Sequence, residues 1–397
     1  MREYLLVFLV ALSVTYLLTV VAREIALRTG AVAAVRDRDV HAEPIPYLGG
    51  LAMLGGLYAA YLVARHLPFL STSEEFVLPD AGAVLLAGAL VCAVGVIDDI
   101  FELDALTKLG GQVLAAGLLV TQGVRFYYFP AADGTQFSLD DVQGAVLTLV
   151  VVIGTMNAVN FVDGLDGLAA GVVGIGAAAF FLYCYFASAQ TNLTLATTGA
   201  LLSAALAGAC AGFLPHNFHP ARLFMGDSGS MLIGLVLSAS ALTLTGQFVG
   251  MPETTGNSLF VTVLPVLLPI SLLMVPIVDL VLAVVRRTRA GRSPMSADKQ
   301  HLHHRLLEIG HSQRRAVLIM WAWAFTIATG AVLVSLFDDP LVWWALGSMI
   351  VLSVVLTFVL PKLHRPRKTG LGDTGLPENA GVEGRAEGRS DEPVPGP

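Results

Sequence analysis

What this sequence has least of is charge. Asp, Glu, Lys and Arg make up 13% of its 397 residues and hydrophobic residues 55%, whereas a water-soluble domain carries about 25% charged residues. With a mean hydropathy of +0.73, this excludes an ordinary soluble domain and leaves an integral membrane protein. Cysteine is nearly as scarce. Cys92, Cys184 and Cys210 all sit inside apolar runs, which excludes a disulfide framework and gives no thiolate metal site. Nor does the first apolar run read as a cleaved leader: no small-residue cleavage site follows residues 4–22 before Glu24, so it is expected to stay as a transmembrane helix. No internal repeat is visible, and no nucleic-acid partner is expected. The net charge of −7 decides little, because in a membrane protein the location of charge matters more than its sum.

What is there, instead, is a series of apolar segments near 4–27, 46–66, 80–97, 108–123, 143–159, 167–188, 194–213, 229–247, 258–285, 315–336 and 341–360. Each approaches the roughly 20 residues that cross a bilayer. They predict an all-α polytopic membrane protein with about eleven transmembrane helices. The ninth holds Pro265, Pro269 and Pro276 and is expected to be kinked or broken, since each proline removes a backbone donor. An odd number of spans puts the termini on opposite sides. With the N-terminus outside, the outer face holds Arg2, Arg65 and Arg125, three of the 23 Lys and Arg; the positive-inside rule therefore predicts an outer N-terminus and a cytoplasmic C-terminus. Residues 1–362 are expected to form one membrane-embedded domain and 363–397, rich in Gly, Pro and acids, a disordered cytoplasmic tail.

The few polar residues gather on the cytoplasmic side: HAEPIPYLGG (41–50), the pair Asp98 and Asp99, NAVNFVDGLDG (157–167), HNFHPARLFMGDSGS (216–230) and a basic loop with HLHH (301–304). Acids at membrane depth are expensive and mark function by default. Asp98 and Asp99 repel each other and meet the negative end of a helix dipole, so a cation must offset them. A hard divalent ion such as magnesium, held by one or two carboxylates together with substrate phosphates, suits that task; a solvated acidic pair at a helix end is the blander alternative. Asn157, Asn160 and Asp163 recur every three residues and so share a helix face, while Gly164 and Gly167 permit a tight turn toward a ligand. A polar helix end with glycine caps would read the same way. FMGDSGS reads as a helix start, in which Ser228, Gly229 and Ser230 suit a first turn whose free N–H groups attract phosphate, and Asp227 stands where metal and phosphate could meet. Phe224 is either a stacking surface for a base or plain packing. The loop 286–315 carries eight Lys and Arg, ordinarily a topology signal and a contact with anionic lipid. Within it, His301, His303 and His304, flanked by Lys299 and Arg305, suit a pyrophosphate better than zinc, for which a thiolate is lacking.

DDIFELDALTK, NAVNFVDGLDGLAAG, FMGDSGS and ADKQHLHHRLLEIGHS resemble the signature segments of the polyprenyl-phosphate N-acetylhexosamine-1-phosphate transferases, in their WecA/TagO-type branch, over about residues 1–360. The resemblance implies a Mg2+-dependent, or Mn2+-dependent, transfer of GlcNAc-1-phosphate from UDP-GlcNAc to undecaprenyl or decaprenyl phosphate, releasing UMP. That is the first membrane step of cell-envelope polysaccharide synthesis, performed at the cytoplasmic face of the bacterial inner membrane by a multi-pass protein for which a homodimer is compatible. Carried over by position, Asp227 and Asn160 would hold the metal, and Lys108 would meet the donor pyrophosphate. Asp98 would act as base or as nucleophile, Asp99 would assist the metal or the lipid phosphate, and Asp163 would support the site. Asp166, Asn217 and Phe224 match uridine-holding positions, and His301, His303, His304 and Arg305 would complete the pyrophosphate and sugar pocket.

Other readings stay open at this point. The MraY-type translocase of peptidoglycan synthesis shares the first three motifs, but its last loop usually reads HHH, so HLHH favours UDP-GlcNAc over UDP-N-acetylmuramoyl-pentapeptide. A transporter would place its acids near mid-bilayer, often in repeated halves. A CDP-alcohol phosphatidyltransferase would show an arginine that NFVDGLDGLAAG lacks. One departure from the family pattern is Glu43, where a basic residue is common ahead of PxxGG; no donor contact is expected from that loop.

Overall fold

The computed structural model describes residues 1–32, 45–72, 77–130, 136–191, 194–245, 288, 312–337 and 339–358. These form eleven helices: α1 (Arg2–Thr29), α2 (Gly49–Ala64), α3 (Pro68–Thr72), α4 (Val77–Phe101), α5 (Ala105–Thr121), α6 (Asp141–Val162), α7 (Leu168–Thr191), α8 (Thr194–Asn217), α9 (Gly226–Thr245), α10 (Gln313–Leu336) and α11 (Pro340–Phe358). Eight of them are long and apolar enough to cross a membrane. The segments expected at 46–66 and 108–123 are helical and apolar but shorter than those eight, with 16 residues in α2 and 17 in α5. The expected ninth crossing at 258–285 and the tail 363–397 lie outside the described residues.

The all-α expectation needs one correction. Between α5 and α6, β1 (Tyr128–Pro130) pairs antiparallel with β2 (Gln136–Ser138), with Phe129 opposite Phe137. Strands of three residues carry too little alternation to register as a period.

Small residues decide which helices sit inside. α9 lies at the centre, touching α2, α4, α6, α7 and α8, while α1 packs on α2 and α8, and α11 reaches only α10 among its principal contacts. A Cβ on Gly234 of α9 would stand 2.9 Å from the Met156 Cα in α6, and one on Gly212 of α8 would run into the backbone carbonyl oxygen of Leu12 in α1. In lipid, where no hydrophobic effect draws helices together, such close backbone approach is what holds them. The serines buried in α9 satisfy themselves: the Ser238 hydroxyl donates to the Gly234 carbonyl at 3.0 Å and Ser240 to Val236 at 2.6 Å, so they cost little at depth.

Caps fix where the helices begin. Asp140 and Gln143 form a reciprocal capping box at α6, Asp104 caps α5, and Ser312 caps α10. α1 stops at Gly30, in the left-handed region at φ 74°. As a result the end of α4, the start of α5, the end of α6, the end of α8 and the start of α9 lie at one end of the bundle, with the hairpin at the other.

Candidate active site

The turn from α4 into α5 is built by carboxylates. Asp98 Oδ1 accepts the Leu103 N–H at 2.8 Å, and Glu102 takes a left-handed φ of 49°. Asp104 then accepts the N–H groups of Leu106 and Thr107, each at 3.0 Å; bonds from the Thr107 hydroxyl and N–H hold its carboxyl below the usual range. The reversal returns Lys108, from the first turn of α5, to its own turn: Nζ lies 3.0 Å from Asp98 Oδ2. The same ammonium forms an ion pair with Asp227 on α9. From the last turn of α6, Asn160 donates through Nδ2 to Asp227 Oδ1 at 2.5 Å and to Ser230 Oγ at 2.8 Å. Four helices thus meet around one lysine held between two carboxylates. The cation that the sequence demands beside Asp98 is supplied, in this structure, by the chain itself.

Asp99, one residue further along α4, faces elsewhere. Its Oδ1 accepts the Asp227 N–H at 2.7 Å and its Oδ2 the Ser228 N–H at 3.2 Å, so it caps α9 from a different helix. This corrects the expectation of free N–H groups there: those two already bind an anion, a carboxylate of the protein. Gly226 is needed twice over. It sits at φ 67°, where side chains are rarely tolerated, and a Cβ would stand 2.7 Å from Asp99 Oδ1.

The start of α9 is also wedged between two glycines. A Cβ on Gly50 of α2 would lie 2.7 Å from the Gly229 Cα, and one on Gly95 of α4 would lie 2.7 Å from the Asp227 carbonyl carbon. These obstacles are backbone atoms, which no rotamer change can relieve. Gly95→Ala is therefore expected to push the Asp227 backbone off position and lower kcat about tenfold or more. Turnover measured beside thermal unfolding checks this, and wild-type kcat in a well-folded variant would show that the close approach is irrelevant.

The segment Pro46 to Gly50 proves structural. Phe224 donates its N–H to the Pro46 carbonyl at 2.9 Å, and Gly49 and Gly50 donate to the Phe224 and Met225 carbonyls, each at 3.1 Å. Leu48 takes a left-handed φ of 82° and buries its side chain against Ala26, Ala31 and Val96. PxxGG here aligns the approach to Asp227, a role that is invisible without knowing its partner segment, Phe224 and Met225.

Asp163 is the C-cap of α6. Burial, with Asp227, Asp99 and Asp166 as negative neighbours, holds its carboxyl well above the usual range. Asp166 and Asn217 hold the turn between α8 and α9. Asn217 Oδ1 accepts the Gly167 N–H at 3.0 Å while its Nδ2 donates to the Leu223 carbonyl at 3.0 Å. Asp166 Oδ2 accepts the Ala221 N–H at 3.0 Å and lies 2.9 Å from His219 Nδ1. Phe224 is half-buried, its ring 6.0 Å from that of Tyr47. His219 had no sequence signal of its own; Asp104, three residues before Thr107, carries a legible cap signature. His301, His303, His304 and Arg305 lie outside the described residues.

The donor chemistry suits a hard divalent ion. Asp98 and Asp227 offer carboxylate oxygens to one shared cation, here Lys108, while among the described residues no group of three or more His, Cys, Asp or Glu is placed to hold a metal ion. Magnesium is commonly held this way, by one or two carboxylates completed by substrate phosphate. Asn160 spends its amide nitrogen on Asp227, so only its carbonyl oxygen could serve a metal.

Comparison with known proteins identifies the family. The family model described as "Glycosyl transferase family 4" matches residues 81–245, which contain every described member of the cluster. The chain is 47% identical over 371 residues to the decaprenyl-phosphate N-acetylglucosaminephosphotransferase of Mycolicibacterium smegmatis, covering 92% of this chain and 90% of that one. It is 30% identical over 360 residues to a probable undecaprenyl-phosphate N-acetylglucosaminyl 1-phosphate transferase of Bacillus subtilis, covering 90% and 92%. Similarity extends at 30% over 357 residues to a phospho-N-acetylmuramoyl-pentapeptide-transferase of Mycobacterium bovis, covering 81% and 93%. By the family match and by near-full-length likeness to these transferases, the chain belongs to glycosyl transferase family 4.

Proposed function

We propose that the protein transfers GlcNAc-1-phosphate from UDP-GlcNAc to a polyprenyl phosphate, giving polyprenyl-pyrophosphate-GlcNAc and UMP. The observation that carries this reading is the lysine shared by Asp98 and Asp227 at one end of a membrane bundle. Two anionic substrates, one soluble and one lipid, must meet there, and phosphoryl transfer asks a protein chiefly for positioning and charge neutralisation. Lys108 is placed to exchange its carboxylate partners for the donor pyrophosphate. That frees Asp98 Oδ2 to take the proton of the lipid phosphate or to attack the donor phosphorus itself. The second route predicts exchange of labelled UMP into UDP-GlcNAc without lipid, the first does not.

Asp227 would hold Mg2+, with the side-chain carbonyl oxygen of Asn160 beside it; bound there, the ion would supply neutralisation of the phosphate oxygens. Asp99 keeps the first turn of α9, and with it Asp227, in place. Phe224 offers its ring to the uracil, and Asn217 and Asp166 shape the turn beneath it. In this reading His301, His303, His304 and Arg305 would complete the pyrophosphate and sugar pocket. The 47% identity to an N-acetylglucosamine enzyme, against 30% to a muramoyl-pentapeptide enzyme, supports UDP-GlcNAc as donor. The working orientation is eleven crossings in the cell membrane, N-terminus outside and the site facing the cytoplasm.

The purified protein in detergent, given labelled UDP-GlcNAc, decaprenyl or undecaprenyl phosphate and Mg2+, is expected to release UMP and label the lipid, and to stop on chelation. Turnover of UDP-N-acetylmuramoyl-pentapeptide instead would reverse the donor assignment. Turnover undiminished by chelator would remove the metal.

A further inference from the structure

One helical turn deeper than the charged cluster lies a second layer that the reaction does not touch. Gln112 follows Lys108 by four residues on α5, Asn157 precedes Asn160 by three on α6, and Met231 follows Asp227 by four on α9. At these spacings each deeper residue lies on the same helix face as the residue above it. The three meet one another. Asn157 Nδ2 donates to Gln112 Oε1 at 2.8 Å, Gln112 Nε2 donates to Asn157 Oδ1 at 3.3 Å, and Gln112 Nε2 also lies 3.2 Å from Met231 Sδ. Gln112 is 1% exposed.

We propose that the Gln112–Asn157 amide pair is a register clamp: it sets the height and rotation of α5 against α6 and α9, and so brings Lys108 and Asn160 together on Asp227. Gln112 is on this account a positioning residue, acting through Lys108, and it meets no substrate. α5 needs such a device. It is only 17 residues long, packs mainly on α4 and α6, and exposes Leu106, Leu109, Val113 and Leu114. Those apolar side chains fit lipid equally well at any rotation of the helix, because lipid tails do not discriminate between them. A reciprocal pair of amides does discriminate, since a slip of one residue on either helix leaves the buried Gln112 amide without its partner. The second bond of Asn157, from Nδ2 to the Ile153 carbonyl at 2.8 Å, fixes its rotamer and aims it at α5.

The clamp rests on the transfer reaction proposed above, and the test separates the two. Gln112→Met keeps the side-chain length and the neighbour of Met231 but removes both amide bonds. It is expected to lower kcat about tenfold or more, with KM for UDP-GlcNAc within about threefold and thermal unfolding close to wild type. Exchanging the pair, Gln112→Asn with Asn157→Gln, is expected to restore most of kcat, because the two amides can again meet. Wild-type kcat in Gln112→Met overturns the clamp. So does a loss that comes with a collapse in thermal stability and no recovery in the exchanged pair, which would make Gln112 a packing residue only. A wild-type protein silent toward UDP-GlcNAc refutes the donor assignment and not the clamp, and the same variants are then compared with the donor that it does use.

Discussion

Asp98→Asn is expected to lower turnover about a thousandfold and to leave the protein folded. The substitution is nearly isosteric, and the new carboxamide oxygen can still accept the Leu103 N–H that shapes the turn between α4 and α5. Lys108 keeps its ion pair with Asp227, so the cluster loses a charge and does not lose its frame. What disappears is the carboxylate oxygen that faces the lysine at 3.0 Å, the one group that both chemical routes need. KM for UDP-GlcNAc should move little, since Lys108 remains to meet the donor. Single-turnover and steady-state rates, read with thermal unfolding, check this. A variant that turns over at near the wild-type rate would remove Asp98 from the chemistry and shift attention to Asp163, whose raised carboxyl could carry a proton.

Much of the site was legible in the sequence for one physical reason. In a chain this apolar a carboxylate at a helix end is costly to place, so Asp98, Asp99, Asp163 and Asp227 stood out, and counting apolar segments put them all at one end. Ten of the expected crossings are helices in the structure, because long apolar runs bounded by caps leave little choice. The parts that were not legible are bonds between distant segments. Asp99 reads like Asp98 in the sequence, yet it caps a helix that begins 127 residues later, at Gly226. Asn217 looked like a ligand contact, and its two polar ends are used on the Gly167 and Leu223 backbones. The first turn in FMGDSGS suggested free N–H groups for a phosphate; two of them are used on the protein's own Asp99, and its glycines admit the protein's own backbone and side chains. No local pattern separates a glycine that makes room for a ligand from one that makes room for a neighbouring helix.

Lys108→Met should be nearly as damaging, with a signature of its own. Methionine keeps an apolar stem of similar length, so packing in the first turn of α5 survives and only the ammonium is lost. Asp98 and Asp227 then face each other unneutralised, and like charges crowded in a poorly solvated place disfavour the folded arrangement. The expected outcome in chelator is a fall in thermal stability together with about a hundredfold loss of kcat, the scale seen when a single electrostatic contact to a developing charge is removed. Millimolar Mg2+ should restore the stability and should raise it more in the variant than in the wild type, because in the wild type the ion must compete with a lysine already seated between the same two carboxylates. It should not restore the rate, since the ion cannot also replace the contact to the donor pyrophosphate. Stability in Lys108→Met that ignores Mg2+ would mean that Asp98 and Asp227 do not share a cation, and a wild-type rate would mean that the lysine serves the fold alone. The two readouts would separate because the proposal gives one ammonium two tasks: it holds the carboxylates together before substrate arrives, and it would leave them when a pyrophosphate offers more charge.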